Sequence, residues 1–213
     1  MNKLIHGDFL EVMKQFPDNL FDLCLTDPPY GINVAKTGKV GGEKLAAVTD
    51  YGKKEWDSFI PNKEYFDEMR RVSKNQIIFG GNYFIEFLSN SSCWIVWDKN
   101  NTGNFADAEL AWTSFITAVR IIKWTWNGML QQDMRFKEKR IHPTQKPVGV
   151  FKWILKNYSK ENDKIIDPFS GSGVTAVTCL DTNREYYCVE KDYDYYLSSE
   201  ERIKNHVIQE ELF

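Results

Sequence analysis

The residues of this chain best suited to do chemistry are Asp27-Pro28-Pro29-Tyr30. They follow the apolar run Leu23-Cys24-Leu25-Thr26, so a buried strand would carry a carboxylate, a stiff backbone and a flat ring to the rim of a parallel sheet. Proline has no N–H and pushes the preceding residue out of helical space. Asp27 and Pro28 are therefore expected to be extended, with carbonyls free to accept hydrogen bonds. Taken alone, the segment also fits an ordinary proline turn.

A second chemical stretch is Asp167-Pro168-Phe169-Ser170-Gly171-Ser172-Gly173, lying between the apolar Lys164-Ile165-Ile166 and a helical pattern that runs to about Leu180. Glycines between a strand and a helix let the backbone approach a ligand closely. Glu190 stands 23 residues after Asp167 at the end of the next apolar run, where an acidic residue suits ribose hydroxyls. The glycine run lacks the Lys-Ser/Thr pair of a phosphate loop, and its Asp-Pro-Phe opening departs from the dinucleotide fingerprint. A nucleoside cofactor without a pyrophosphate fits better. Asp8 ends another short apolar run, Lys3 to Gly7.

The elements that must position these residues alternate strand and helix, which predicts an α/β domain with a mostly parallel sheet. Strands are expected at Lys3–Asp8, Leu20–Thr26, Gln76–Phe79, Cys93–Lys99, Lys164–Asp167 and Glu185–Glu190. Helices are expected over 9–19, Lys63–Val72, 83–88, the stripe Val148, Phe151, Ile154, Leu155 and Tyr158 behind Pro147, and the tail 192–210. In that tail Tyr193, Tyr196, Leu197, Ile203 and Val207 are placed near one face. Ala108–Phe115 and Val119–Trp126 read as an edge hairpin. Asp98 and Lys99 are expected at the rim without a role.

Two stretches break the pattern. Residues 31–59 hold five glycines and five lysines, among them Lys36, Lys39, Lys53 and Lys54, and read as a flexible lid or DNA-facing loop. Residues 127–141 set Arg135, Lys137, Lys139 and Arg140 near Trp124, Trp126 and Phe136, a mixture that suits phosphates and bases.

The chain of 213 residues, 42% hydrophobic and 27% charged, fits a single domain spanning 1–213. No apolar run approaches a membrane span, and the start carries no signal-peptide pattern, so a cytoplasmic protein is expected. Cys24, Cys93, Cys179 and Cys188 sit in or beside apolar segments and are expected as buried thiols. The three histidines are too scattered to suggest a metal site. A net charge of −3 gives no general attraction to a polyanion, so any nucleic acid must be met by a local basic patch.

Taken together and in order, Asp27-Pro28-Pro29-Tyr30, Phe79-Gly80-Gly81-Asn82, His142-Pro143-Thr144-Gln145-Lys146-Pro147 and the Asp167–Gly173 loop resemble the amino-methylating DNA methyltransferases of the beta arrangement. The resemblance spans Leu4 to about Glu190. It implies a Rossmann-like S-adenosylmethionine-dependent fold: a mostly parallel seven-stranded sheet with an antiparallel edge strand. The order would be circularly permuted, closing with what are usually the first two strands. It implies a catalytic pocket at Asp27, Pro28, Pro29 and Tyr30. It places S-adenosylmethionine against Asp167, Phe169, Ser170, Gly171, Ser172 and Gly173, with Glu190 on the ribose and Asp8 at the adenine edge. Thr144, Gln145 and Lys146 would close over the methionine part, and Asp27 would also border the cofactor.

By the same resemblance, double-stranded DNA is the partner and a homodimer is among the expected states. Neither a metal nor a cysteine nucleophile is required. Adenine N6 is the expected target. Cytosine N4 is its rival, since both amino groups need the same geometry and only the commoner Ser-Pro-Pro-Tyr of cytosine enzymes tilts the choice. A silent DNA- or cofactor-binding module is the reading from another class. Restriction protection, phage modification and regulation stay open as roles.

Overall fold

The computed structural model describes residues 2–33, 36, 39–40, 49–50, 52, 54, 57–58, 60–101, 106–127 and 130–211. Its strands are β1 (Lys3–His6), β2 (Phe21–Thr26), β3 (Lys39–Val40), β4 (Thr49–Asp50), β5 (Ser73–Phe79), β6 (Trp94–Asp98), β7 (Ala108–Thr113), β8 (Arg120–Lys123), β9 (Trp126–Asn127), β10 (Leu130–Gln131), β11 (Lys164–Asp167) and β12 (Glu185–Glu190). The helices are α1 (Phe9–Met13), α2 (Lys63–Val72), α3 (Val148–Tyr158), α4 (Val174–Leu180) and α5 (Tyr193–Glu211).

Among the described residues eight strands form one sheet in the order β1-β12-β11-β2-β5-β7-β6-β8, and the pairs β3/β4 and β9/β10 stand apart from it. The strands from β1 to β5 along this order pair in parallel. The last strands of the chain, β11 and β12, lie between the first two, as the permuted order predicts. Side chains alternate between the faces of the sheet. Leu23, Leu25, Ile77, Phe79, Ile165 and Cys188 pack with Phe151, Ile154 and Leu155 of α3 and Val174 and Val177 of α4. Cys24, Ile78, Ile166 and Val189 pack with α1 and α2 on the other face. All four cysteines are free and buried.

Several expectations change. The sheet has eight strands, and its antiparallel member is interior. β7 runs antiparallel to both β5 and β6, and the edge strand β8 is parallel to β6. The expected hairpin of 108–126 therefore does not form. Residues 114–119 are long enough to step across β6, over two strand spacings of about 4.8 Å each, and apolar Ile95 and Trp97 of β6 fill the space between.

Helix α1 ends at Met13 rather than at 19, because Pro17 cannot continue a helix and disfavours helical backbone before it. The expected 83–88 helix is two 3₁₀ turns, Gly81–Tyr83 and Ile85–Phe87, with buried Phe84 between them. On α5 the buried face is Tyr195, Ser199 and Ile203; Ile203 lies on it as expected, while Tyr193 and Leu197 of the expected stripe are exposed. Among the described residues no helix is long and apolar enough to cross a membrane.

Candidate active site

Asp27 leaves β2 at the carboxyl edge of the parallel strands, where open sheets gather ligand-facing groups. Its two oxygens are each held. Tyr30 Oη donates to Oδ1 at 2.5 Å and Lys146 Nζ donates to Oδ2 at 2.5 Å. The Tyr30 and Gly31 amides donate to Asp57 Oδ1 at 2.9 and 3.0 Å, which fixes the backbone just past the prolines.

The Tyr30 ring lies against Gly80, where a Cβ would fall 2.1 Å from its Cε1, and stacks on Tyr83 at 4.8 Å and 12°. Gly80 has φ +68°, a conformation that glycine adopts without strain, so it serves both the turn after β5 and the seat of the ring.

Lys146 is 5% exposed and also lies 3.1 Å from Glu109 Oε2, while Lys99 binds Glu109 Oε1 at 2.5 Å. Two ammonium groups and two carboxylates thus form a chain from the β6 exit, across β7, to the corner. Burial raises the Asp27 carboxyl above its ordinary range, with the Lys146 charge opposing it and the Glu109 charge adding to it. Burial also presses Glu109 upward, but Lys146 and Lys99 outweigh it and hold that carboxyl low. Burial would discharge Lys146, yet its two carboxylates push it up to about 12 and keep it an ammonium.

A cavity of about 550 Å³ adjoins the corner. Phe9, Tyr65 and Phe169 cluster in its wall with ring centres 5.6 to 5.8 Å apart, which makes an apolar slot for a flat group. Asp8 stands beside this slot, where it caps α1 through Leu10 N–H at 3.0 Å and takes Lys191 at 3.0 Å.

Glu190 accepts from Gly171 N at 2.7 Å and Asp192 N at 2.8 Å, so each oxygen keeps capacity for a further donor. Burial pushes its carboxyl up to about 7. Asp167 is buried too and sits at about 6; it clamps the loop by accepting from Thr26 Oγ1 at 2.8 Å, Thr175 Oγ1 at 2.6 Å and Phe169 N at 3.1 Å. His142 is held neutral by burial, down to about 3, and its ring packs 4.3 Å from that of Tyr195.

Residues 116–201, from the turn before β8 into α5, match the N6_N4_Mtase family, described as DNA methylase. This stretch contains the His142–Pro147 segment, the glycine loop and Glu190, all converging on the cavity. The chain is thus similar to the amino-methylating DNA methyltransferases, with the family match confined to residues 116–201.

Over 96% of its length it is 26% identical to the Type II methyltransferase M.HinfI of Haemophilus influenzae, of which it covers 68%. Its fold is shared with the M1.HpyAVI–SAM complex at a TM-score of 0.59 and 20% identity, covering 95% of this chain and 99% of that one. It is shared equally with the PvuII DNA methyltransferase, cytosine-N4-specific, at 0.61 and 16%, covering 96% and 90%.

Asp8, Asp27, Pro29, Thr144, Gln145, Lys146, Asp167, Phe169, Ser170, Gly171, Ser172 and Glu190 all line the one cavity. Pro28 and Tyr30 are not part of its lining. Gly173 also lies outside the lining: a Cβ there would come 2.9 Å from Ser199 Cβ, so this glycine serves the packing of α5. Gln145 spends its amide on Ile141 N and Lys139 O, which ties down the end of the 127–141 segment.

Of the basic residues singled out above, Lys36, Arg135, Lys137 and Lys139 are exposed. Arg135 pairs with Asp133 at 3.0 Å, and the Arg140 guanidinium lies 4.4 Å from the Trp126 ring centre. Lys53 lies outside the described residues, as does much of 31–59. Lys39 falls in β3. Glu109 and Lys99 went unrecognised in the sequence. The only signal for Lys99 was its place at a strand exit, and none marked Glu109, a charge at the second position of an apolar strand.

Proposed function

We propose that this chain transfers the methyl group of S-adenosylmethionine to N6 of adenine in DNA, with the target base turned out of the duplex. The observation that carries the reading is the position of Asp27. Its carboxylate is held between Tyr30 and Lys146 and opens into the same cavity as the glycine loop and Glu190.

The cavity suits the cofactor. The slot of Phe9, Tyr65 and Phe169 takes the adenine with Asp8 at its edge, Glu190 takes the ribose hydroxyls, and the loop at Phe169–Ser172 takes the methionine end. When bound, the cofactor supplies an electrophilic methyl carbon on a sulfonium.

The chain's own residues prepare the acceptor. An exocyclic amino group is a poor nucleophile because its lone pair is delocalised into the ring. The Asp27 carboxylate and the Pro28 carbonyl, by accepting its two N–H bonds, favour a pyramidal nitrogen and aim the lone pair. Pro29 fixes the backbone, and Tyr30 offers a ring on which the extruded base stacks. Exposed Lys36, Arg135, Lys137 and Lys139 serve the DNA phosphates, with 127–141 as the recognition segment of a single-domain enzyme.

Incubation with tritiated S-adenosylmethionine and amplified, hence unmodified, DNA, followed by nucleoside analysis, tests the reading. N6-methyladenine is expected. N4-methylcytosine as the sole product would sink the adenine assignment and establish the alternative, since the same acceptors hold either amino group. D27A is expected to abolish transfer while cofactor affinity changes only modestly. Unchanged methylation by D27A would refute the mechanism.

A further inference from the structure

We infer that Lys146 is a removable stand-in for the target amino group: it holds Asp27 Oδ2 in the free protein and passes to Glu109 Oε2 when the substrate amine arrives. This rests on the activity proposed above.

Both oxygens of Asp27 are occupied by internal donors, Tyr30 Oη and Lys146 Nζ, so an incoming N–H must displace or share with one of them. Lys146 has somewhere to go. Glu109 Oε2 is buried, receives no hydrogen bond among the described residues, and lies 3.1 Å from the same ammonium. Lys99 anchors the other oxygen of Glu109 at 2.5 Å, so the receiving carboxylate is held in place from the far side.

The move is short and stays within a cluster of two positive and two negative groups. No charge has to be brought out of water or left without a counterion. The ammonium also sits 5.7 Å from the Tyr30 ring centre, beside the ring on which the base is to stack, so its departure clears that ring as well. As an ammonium it has no lone pair and cannot itself take the methyl group. Glu109 and Lys99 are thus positioning residues, acting on Asp27 through Lys146.

The test is E109Q, which keeps the shape of the acceptor and removes its charge, alongside E109D, which keeps the charge. Tritium transfer to amplified DNA gives kcat and KM, and calorimetry gives the Kd of S-adenosylmethionine. E109Q is expected to lower kcat tenfold or more with Kd within twofold of wild type, and E109D to recover at least half of the loss on a logarithmic scale. A kcat for E109Q within twofold of wild type overturns the hand-over. So does a loss of cofactor affinity proportional to the loss of kcat, the mark of a merely structural ion pair. If E109Q does not fold, K99Q, which releases the far oxygen of Glu109, takes its place: kcat reduced with Kd retained supports the hand-over, and unchanged kcat overturns it. A wild-type protein that methylates no amino group in DNA would overturn the proposed activity itself, a result distinct from an active wild type with an unaffected E109Q.

Discussion

Gly80→Ala separates the seat of the Asp27–Tyr30 corner from the adjoining cavity. The added Cβ would lie 2.1 Å from Tyr30 Cε1 and 2.6 Å from Cζ, too close for either to stay where it is. The backbone cost of alanine at φ +68° is about 1–2 kcal/mol, from the clash of Cβ with the following carbonyl. Forcing a methyl group against a packed ring adds about 1–3 kcal/mol. The sum is roughly 2–5 kcal/mol, which for a domain of this size lowers the thermal midpoint by roughly 4–20 °C.

The ring can relieve the clash only by moving, and moving breaks its 2.5 Å hydrogen bond to Asp27. Transfer is therefore expected to fall by about tenfold or more, equivalent to about 1.4 kcal/mol in the barrier. Cofactor affinity should change little, because Tyr30 does not line the cavity. Thermal unfolding, calorimetric titration of S-adenosylmethionine and tritium transfer read the three quantities. In a Tyr30→Ala background the ring is gone, and G80A should then cost only its backbone part, leaving a coupling of about 1–3 kcal/mol between the two sites. Wild-type melting and turnover in G80A, or strict additivity with Y30A, would refute the reasoning.

Two further outcomes follow from the cavity. The Glu190 carboxyl, at about 7 in the free protein against an ordinary 4.5, holds a proton that the unfolded chain lacks, so it disfavours folding increasingly as pH rises from about 4.5 to about 7. Ribose hydroxyls donating to its ionised form would expel that proton. Affinity for S-adenosylmethionine should accordingly rise with pH, by up to about tenfold per unit, and level off above 7, whereas E190Q should give a markedly shallower profile; an unchanged slope in E190Q removes Glu190 from the ribose. Thr26→Val deletes a donor to the buried Asp167 and should cost about 1–3 kcal/mol in denaturant unfolding, and a variant as stable as wild type would show that Thr175 and the Phe169 amide satisfy the carboxylate alone.

The sequence by itself determined the parts whose signal is local. An apolar run ending in Asp27-Pro28-Pro29 has to be a strand delivering its tip to an edge, because hydrophobic residues must be covered and prolines cannot continue a ladder. The same reasoning located the loop after Asp167, the acidic end at Glu190 and helix α2 with its bounds at Lys63 and Val72. Tertiary structure decided what depends on strand order and on side chains that meet across it. A chain pattern cannot show that β6 slips between β7 and β8, since a crossing connection and a tight turn have similar composition. For that reason it could not bring Lys99 to Glu109, or Lys146 to Asp27 across 119 residues of chain. Nor could it tell Gly171, which faces the cavity, from Gly173, which faces α5, because both take positive φ and only the neighbour against each hydrogen differs.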